Sequence, residues 1–270
     1  MAENQPMEKG VPIRSVSRSI EVLKLINRRG SVTLTDISRL TALPYPTTCR
    51  IVQTLLHEGL VELEPNRKRY RPTPLVQALS LGYHDEGRLI EAARVPMAET
   101  TQRIGWPLTV TTAVGPSVMV RDSTYGMSAL TFSRYYRGYT FPVLECAAGH
   151  VHLAFADEAT RHSLLLGLQQ MGAASPVMTL FQSGRLTERI RSDGFATHDR
   201  TQHTENPGKT SSIAAPVLVD GREHAQLTLS FFASAMPMAV AVERFVEPLL
   251  ATATQIADRL LQGVGTDPGA

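Results

Sequence analysis

Leu34–Pro72 reads LTDISRLTALPYPTTCRIVQTLLHEGLVELEPNRKRYRP, and its punctuation decides the fold of the first third of the chain. Leu34, Ile37 and Leu40 recur at helical spacing, with Thr33 placed to cap the segment from about Leu34 to Thr41. Pro44 and Pro46 cannot lie inside a helix but suit the first turn of one. A second helix is therefore expected from Tyr45 or Pro46 to His57, with Ile51, Val52, Leu55 and Leu56 inward. Thr47, Arg50, Thr54 and His57 then share the opposite stripe. Gly59 breaks the pattern, Leu60–Glu64 alternates as a strand, Pro65-Asn66 turns, and Tyr70 begins a return strand. Helix, turn, helix and a two-stranded wing with a basic tip form a winged helix-turn-helix of the kind that binds DNA. The residues expected to meet DNA are Tyr45, Thr47, Thr48, Arg50 and Thr54 on the helix, and Arg67, Lys68 and Arg69 on the wing. Thr47, Thr48, Arg50 and the wing rank ahead of Tyr45.

Upstream, residues 1–12 read as a loose polar tail. A helix is expected from Ser15, with Val16, Ile20, Leu23 and Ile26 inward, ending before Gly30. Ser31-Val32-Thr33 is short and β-prone, and suits pairing with the wing. Charge supports the division. Up to Leu75 there are 12 Lys and Arg against 7 Asp and Glu, a net +5; the remainder has 15 against 18, a net −3. A basic segment joined to a mildly acidic one fits a DNA-binding unit attached to something that does not touch DNA.

Downstream, residues 13–74 give way to linker helices over 75–104, from Leu75 to Tyr83 and from Gly87 to Ile104. The texture then changes. Leu108–Val114 and Ser117–Arg121 flank Gly115-Pro116 as a hairpin, and Ala129–Phe132 reads as another strand. Helices are expected to Phe155 from Cys146, over Glu158–Leu168 and over Gly184–Arg191. Ser212–Val219 and Ala225–Phe232 flank the turn Asp220-Gly221, before a long helix over Met238–Leu261. Residues 105–262 thus form an α+β domain with an antiparallel sheet, followed by a flexible tail at 263–270.

Several classes fall away. No apolar run approaches the roughly 18 residues that span a bilayer, and no signal-peptide core is present. Cys49 and Cys146 fall in different expected domains, so a disulfide framework is not expected and a cytoplasmic location is. There is no Gly-x-Ser-x-Gly elbow or Walker loop, and His150-Val-His152 lacks further ligands at metal spacing. An enzyme, a metal site and a cofactor are not expected. The alternatives kept are a ligand-binding enzyme with an accessory winged helix, and a module whose winged helix binds protein.

Ser17–Leu23, Leu43-Pro44 with Thr47–Leu55, Gly59–Val61, Leu144–Phe155 and Ser212–Val217 together resemble the IclR (isocitrate lyase regulator) family of transcription regulators. Trp106-Pro107, Ser128–Arg134 and Ala233–Met236 resemble its activators of aromatic-acid catabolism, such as phenylpropionate pathways. The resemblance implies a winged helix, a linker helix and a GAF-like effector domain, assembled as a homodimer or dimer of dimers. It further implies a small organic acid effector; paired recognition helices are then expected to read a near-palindromic double-stranded operator, with RNA polymerase as a further partner. By this resemblance Ser212, Thr228 and Ser230 line the effector pocket, with the helix-starting turn Ala147-Ala148-Gly149. Trp106, Tyr125, Met127, Phe132, Arg134 and His150 complete the expected lining. The carboxylate is expected to meet Ser212, Ser230 or Arg134. Neither the direction of regulation nor the acid follows from these residues.

Overall fold

The computed structural model describes residues 13–65, 67–80, 87–130, 137–173, 175–199 and 209–262. They fall into two compact units that divide between residues 84 and 85.

The first unit contains α1 (Arg14–Arg29), α2 (Leu34–Thr41), α3 (Tyr45–His57), β1 (Val61–Leu63) and β2 (Tyr70–Pro72). Val22, Ile26, Ile37, Val52, Leu55 and Val61 close its core. The stripe on α1 differs from the expected one: Val22 and Ile26 are buried, whereas Val16 and Ile20 are about half exposed. On α2, Leu40 faces outward and Thr41 is buried, its hydroxyl donating to the Ile37 carbonyl at 2.7 Å. A two-turn helix offers too few positions for periodicity alone to fix its rotation. Thr33 caps α2 by accepting from the Asp36 N–H at 3.1 Å, and its hydroxyl donates to Asp36 Oδ2 at 2.8 Å. That pairing holds the Asp36 carboxyl below its ordinary value. α3 begins at Tyr45, with proline in its first turn. The β1–β2 wing is joined by a bridge between Val32 and Tyr70, as the β-prone Ser31–Thr33 suggests.

A 3-10 helix, Pro74–Ser80, stands where an α-helix was expected. The second unit opens with α4 (Gly87–Ile104), which runs unbroken through Pro96. Next come β3 (Leu108–Val114), β4 (Ser117–Ser123), β5 (Thr140–Pro142), α5 (Ala147–Phe155), α6 (Glu158–Gln170), α7 (Pro176–Gln182) and α8 (Arg185–Asp193). The chain continues through β6 (Ala196–Asp199), β7 (Thr210–Val219), β8 (Arg222–Phe232) and α9 (Met238–Gln262). The antiparallel sheet has the order β5-β4-β3-β8-β7-β6. Ala129 and Leu130 form a bend rather than a strand, and the rest of that expected strand lies outside the described residues. β6 and α7 had no clear signature: one has four residues, the other seven.

Helices cover both faces of this sheet. α4 and α9 bury Leu108, Val110, Ile213, Ala215, Leu227, Leu229 and Phe231 on one side. α4, read from sequence as a linker, is thus part of this core through Leu89, Ala93 and Met97. Buried hydroxyls of Thr100 and Thr252 join it to α9 at 2.8 Å. On the other side, α5 to α8 pack around Val151, Leu153, Phe181 and Ile190 against Val118, Ala196 and Ala214.

Candidate functional site

Side chains alternate across a strand, so burying one set commits the next set to the opposite face. Leu108 and Val110 face α4 and α9, which turns Thr109 and Thr111 to the α5 side. Leu227, Leu229 and Phe231 do the same for Thr228 and Ser230, and Ile213 does it for Ser212. The result is a hydroxyl patch beneath α5. It lines a pocket enclosing about 480 Å³ of empty space, mouth included, with Thr210, Phe141, Glu145, Cys146, Ala148 and His198 completing the wall.

The N-terminus of α5 sits in that wall. Cys146 caps it, its sulfur accepting from the Gly149 N–H at 3.3 Å, and its carbonyl accepts from the His150 N–H at 3.1 Å. The first two amides of a helix have no intrahelical acceptor, so those of Ala147 and Ala148 leave a positive end for an anion. Two hydroxyls are conspicuous. Thr109 and Thr228 are directly paired in register, 4% and 9% exposed, and neither Oγ1 has a hydrogen-bond partner among the described residues. Leaving a buried polar group unpaired costs about 1–3 kcal/mol, a cost that a bound ligand removes.

Of the residues expected here, Ser212, Thr228, Ser230 and Ala148 line the pocket. Gly149 does something else: a Cβ there would lie 2.1 Å from the Val143 carbonyl oxygen, so its bareness lets α5 seat against the preceding turn. His150 is buried behind the wall, with Nε2 at 3.0 Å from the Leu144 carbonyl oxygen. Its ring packs edge-on against His198 and Phe181, and burial pushes its pKa down, keeping it neutral. Trp106 belongs to the opposite face, wedged against Phe231 and Phe232 at 6.2 and 6.1 Å. Tyr125 is buried in a small cluster with Val120 and Phe141, and Met127 is 51% exposed; neither lines the pocket. Phe132 and Arg134 lie outside the described residues. Thr109, Thr111 and Thr210 were not among the residues expected, although strand alternation over Leu108–Val114 could have put Thr109 and Thr111 on one face. His198 was missed with its short strand.

In the first unit, Arg50 is exposed on α3 and has no ion pair among the described residues. With Thr47, Thr54, Arg18 and Ser19 it borders a polar groove between α1 and α3. Arg18 was not among the residues expected. Arg67 and Lys68 are exposed on the wing. Tyr45 is also exposed, and its neighbour Cys49 raises its phenol pKa. One expectation is corrected, and one residue is found already engaged. Thr48 is wholly buried, with its hydroxyl turned back to the Pro44 carbonyl at 3.3 Å, and offers nothing to DNA. Arg69 is spent on Ser31, donating through Nε to Oγ and through a terminal nitrogen to the carbonyl, both at 2.8 Å. These bonds tie the wing to the segment before α2.

Among the described residues, no group of three or more His, Cys, Asp and Glu side chains could hold a metal ion, and no helix is long and apolar enough to cross a membrane. Neither cysteine forms a disulfide.

The sequence matches the model of the IclR helix-turn-helix domain over residues 15–65 and that of the bacterial transcriptional regulator IclR C-terminal domain over residues 82–258. It is 27% identical over 161 residues to the HTH-type transcriptional regulator XynR of Escherichia coli (strain K12), covering 58% of this chain and 62% of that protein. The match thus spans less than two thirds of that relative. Among solved structures, an IclR homologue from Microbacterium hydrocarbonoxydans complexed with 4-hydroxybenzoate aligns over 92% of this chain and 99% of its own, with TM-score 0.66 and 20% identity. The IclR transcriptional regulator of Alicyclobacillus acidocaldarius aligns over 93% and 100%, with TM-score 0.63 and 23% identity. At such identities the likeness is one of fold.

Proposed function

The chain belongs to the IclR family of bacterial transcriptional regulators, and from that premise we propose that a small organic acid, seated on the hydroxyl face beneath α5, sets how it engages its operator. DNA binding by the winged helix and an effector-binding second domain are properties of the family; the residues and the acid are our reading. The observation that carries it is the pair of buried hydroxyls on Thr109 and Thr228 that have no hydrogen-bond partner among the described residues. In this reading the carboxylate takes hydrogen bonds from those threonines, from Ser212 or Ser230, and from the first amides of α5. The apolar part of the acid lies against Phe141 and Ala148. The complex of the Microbacterium relative makes 4-hydroxybenzoate a natural first probe, and an aromatic acid governing a catabolic operon completes the reading.

On the DNA side, Arg50 and Thr47 of α3 enter the major groove, while Arg67 and Lys68 contact phosphates from the wing. A homodimer, or a dimer of dimers, reads a near-palindromic operator with paired recognition helices. A second contact with RNA polymerase would serve activation. The protein works in the cytoplasm, without cofactor or catalysis. Fluorescence anisotropy on the operator, titrated with acid, tests this: affinity should shift about 5- to 150-fold, the span of a coupling of ~1–3 kcal/mol. An acid that binds the protein without moving operator affinity or transcription would contradict it.

A further inference from the structure

One wall of the pocket has its hydrogen-bond direction set from behind. The hydroxyl of Thr111, which lines the pocket, donates to Gln226 Oε1 at 2.8 Å, with the Gln226 main-chain oxygen at 3.4 Å. Gln226 Nε2 in turn donates to Glu223 Oε1, and Glu223 Oε2 lies 2.9 Å from His152 Nδ1 on α5. The chain is dry: Thr111 and Gln226 are 2% and 1% exposed, and the Glu223 and His152 side chains 7% and 12%.

Glu223 reaches this face because of a β-bulge. Val217 pairs with Ala225, but the next position, Leu218, pairs with Glu223, so His224 is skipped. Strict alternation would send Glu223 to the α4–α9 side with Ala225 and Leu227; the extra residue returns it to the side of Gln226.

The chemistry then orients every member. Glu223 Oε1 accepts from the Gln226 side-chain nitrogen, which leaves the Gln226 amide oxygen to accept from Thr111. The single hydroxyl proton of Thr111 is thereby spent, and its lone pairs are what it offers to the pocket. Thr109, two residues along the same face and about 6.6 Å away by strand rise, has no acceptor for its proton among the described residues, nor has Thr228. A single aromatic ring bridges that span.

We infer that Glu223 and Gln226 are positioning residues that polarise the pocket, so that it accepts a hydrogen bond at Thr111 and donates at Thr109 and Thr228. The site therefore selects an acid that carries a hydroxyl donor over an acid of the same shape that lacks one. This rests on the pocket being the effector site.

Calorimetry of the full-length protein with 4-hydroxybenzoate and 4-fluorobenzoate tests it, since the two acids are close in shape and only the first can donate. The wild type should prefer the hydroxy acid by about tenfold or more, as expected when a fluoro group leaves the acceptor unpaired. In Glu223→Gln the new amide can donate to Gln226 Oε1, the Gln226 amide can turn over, and the Thr111 proton is released. The preference should then fall to about unity, with the affinity for 4-fluorobenzoate kept. Thr111→Val should lose the preference and Thr111→Ser retain it, which keeps the test open should Glu223→Gln not fold. Equal binding of the two acids by the wild type, or an undiminished preference in Glu223→Gln or Thr111→Val, overturns the inference and leaves the pocket reading standing. Binding of neither acid overturns both.

Discussion

Thr109 on β3 and Thr228 on β8 occupy one register position of adjacent strands, and both hydroxyls are buried without a partner among the described residues. A fold that hides two donors side by side in a pocket wall is less stable than it could be. The deficit lies where an anion would remove it.

Thr228→Val should therefore separate stability from binding. Replacing the orphan hydroxyl by a methyl removes its desolvation cost, and the ligand-free protein should gain on the order of 1 kcal/mol in urea denaturation. The same change should weaken acid binding. A variant that loses stability would show that the hydroxyl is satisfied in solution.

The cations of the first unit should sort into two kinds. Arg50→Ala should weaken operator binding, and alanine at Arg67 or Lys68 should each lower the slope of log affinity against log salt by about one. Arg69→Ala should instead lower the melting temperature of the winged helix, because its two bonds to Ser31 hold the wing. Should Arg69→Ala reduce the salt slope as much as Lys68→Ala, the assignment of Arg69 as a fastener is wrong.

Buried His150 sets a pH dependence. Burial lowers its folded pKa below the ordinary 6.5. The unfolded chain therefore takes up the proton first, as pH falls. The stability it contributes is present above about pH 6.5 and drains away as pH falls from there toward the folded pKa. Melting curves between pH 7.5 and 5.5 should show a steeper loss in the wild type than in His150→Gln; parallel curves would contradict the reading.

Gly149→Ala should be among the most damaging single changes in the second unit. The added Cβ meets backbone, 2.1 Å from the Val143 carbonyl oxygen, so no side chain can move aside. A loss of ~3 kcal/mol or more is expected, with acid binding weakened because the α5 terminus is displaced. Near wild-type denaturation would mean that the turn and α5 separate easily.

Much of this was legible from residues alone, for definable reasons. Prolines at positions 44 and 46 fix the start of α3, and Asp220-Gly221 fixes the β7–β8 hairpin, because both act through backbone geometry that needs no tertiary context. Ser212, Thr228 and Ser230 were named by the family resemblance, and strand alternation puts them on the pocket side of the sheet. Thr48 was misjudged because residue type does not reveal that a hydroxyl bonds its own helix, and for the same reason the bonds of Arg69 to Ser31 were not foreseen. Trp106 was misplaced because an aromatic residue beside a sheet fits either face until the packing of Phe231 decides. The bulge that re-aims Glu223 has no local signature, since it depends on the partner strand.

The central claim is that the hydroxyl face beneath α5 is where the effector acts. It is tested most directly by titrating 4-hydroxybenzoate into the wild type and the Thr109→Val, Thr228→Val double variant in a calorimeter. The account predicts saturable one-site binding to the wild type and a loss of affinity of about tenfold or more in a variant that still melts cooperatively. Equal affinity in the two proteins would place the acid elsewhere and contradict the account.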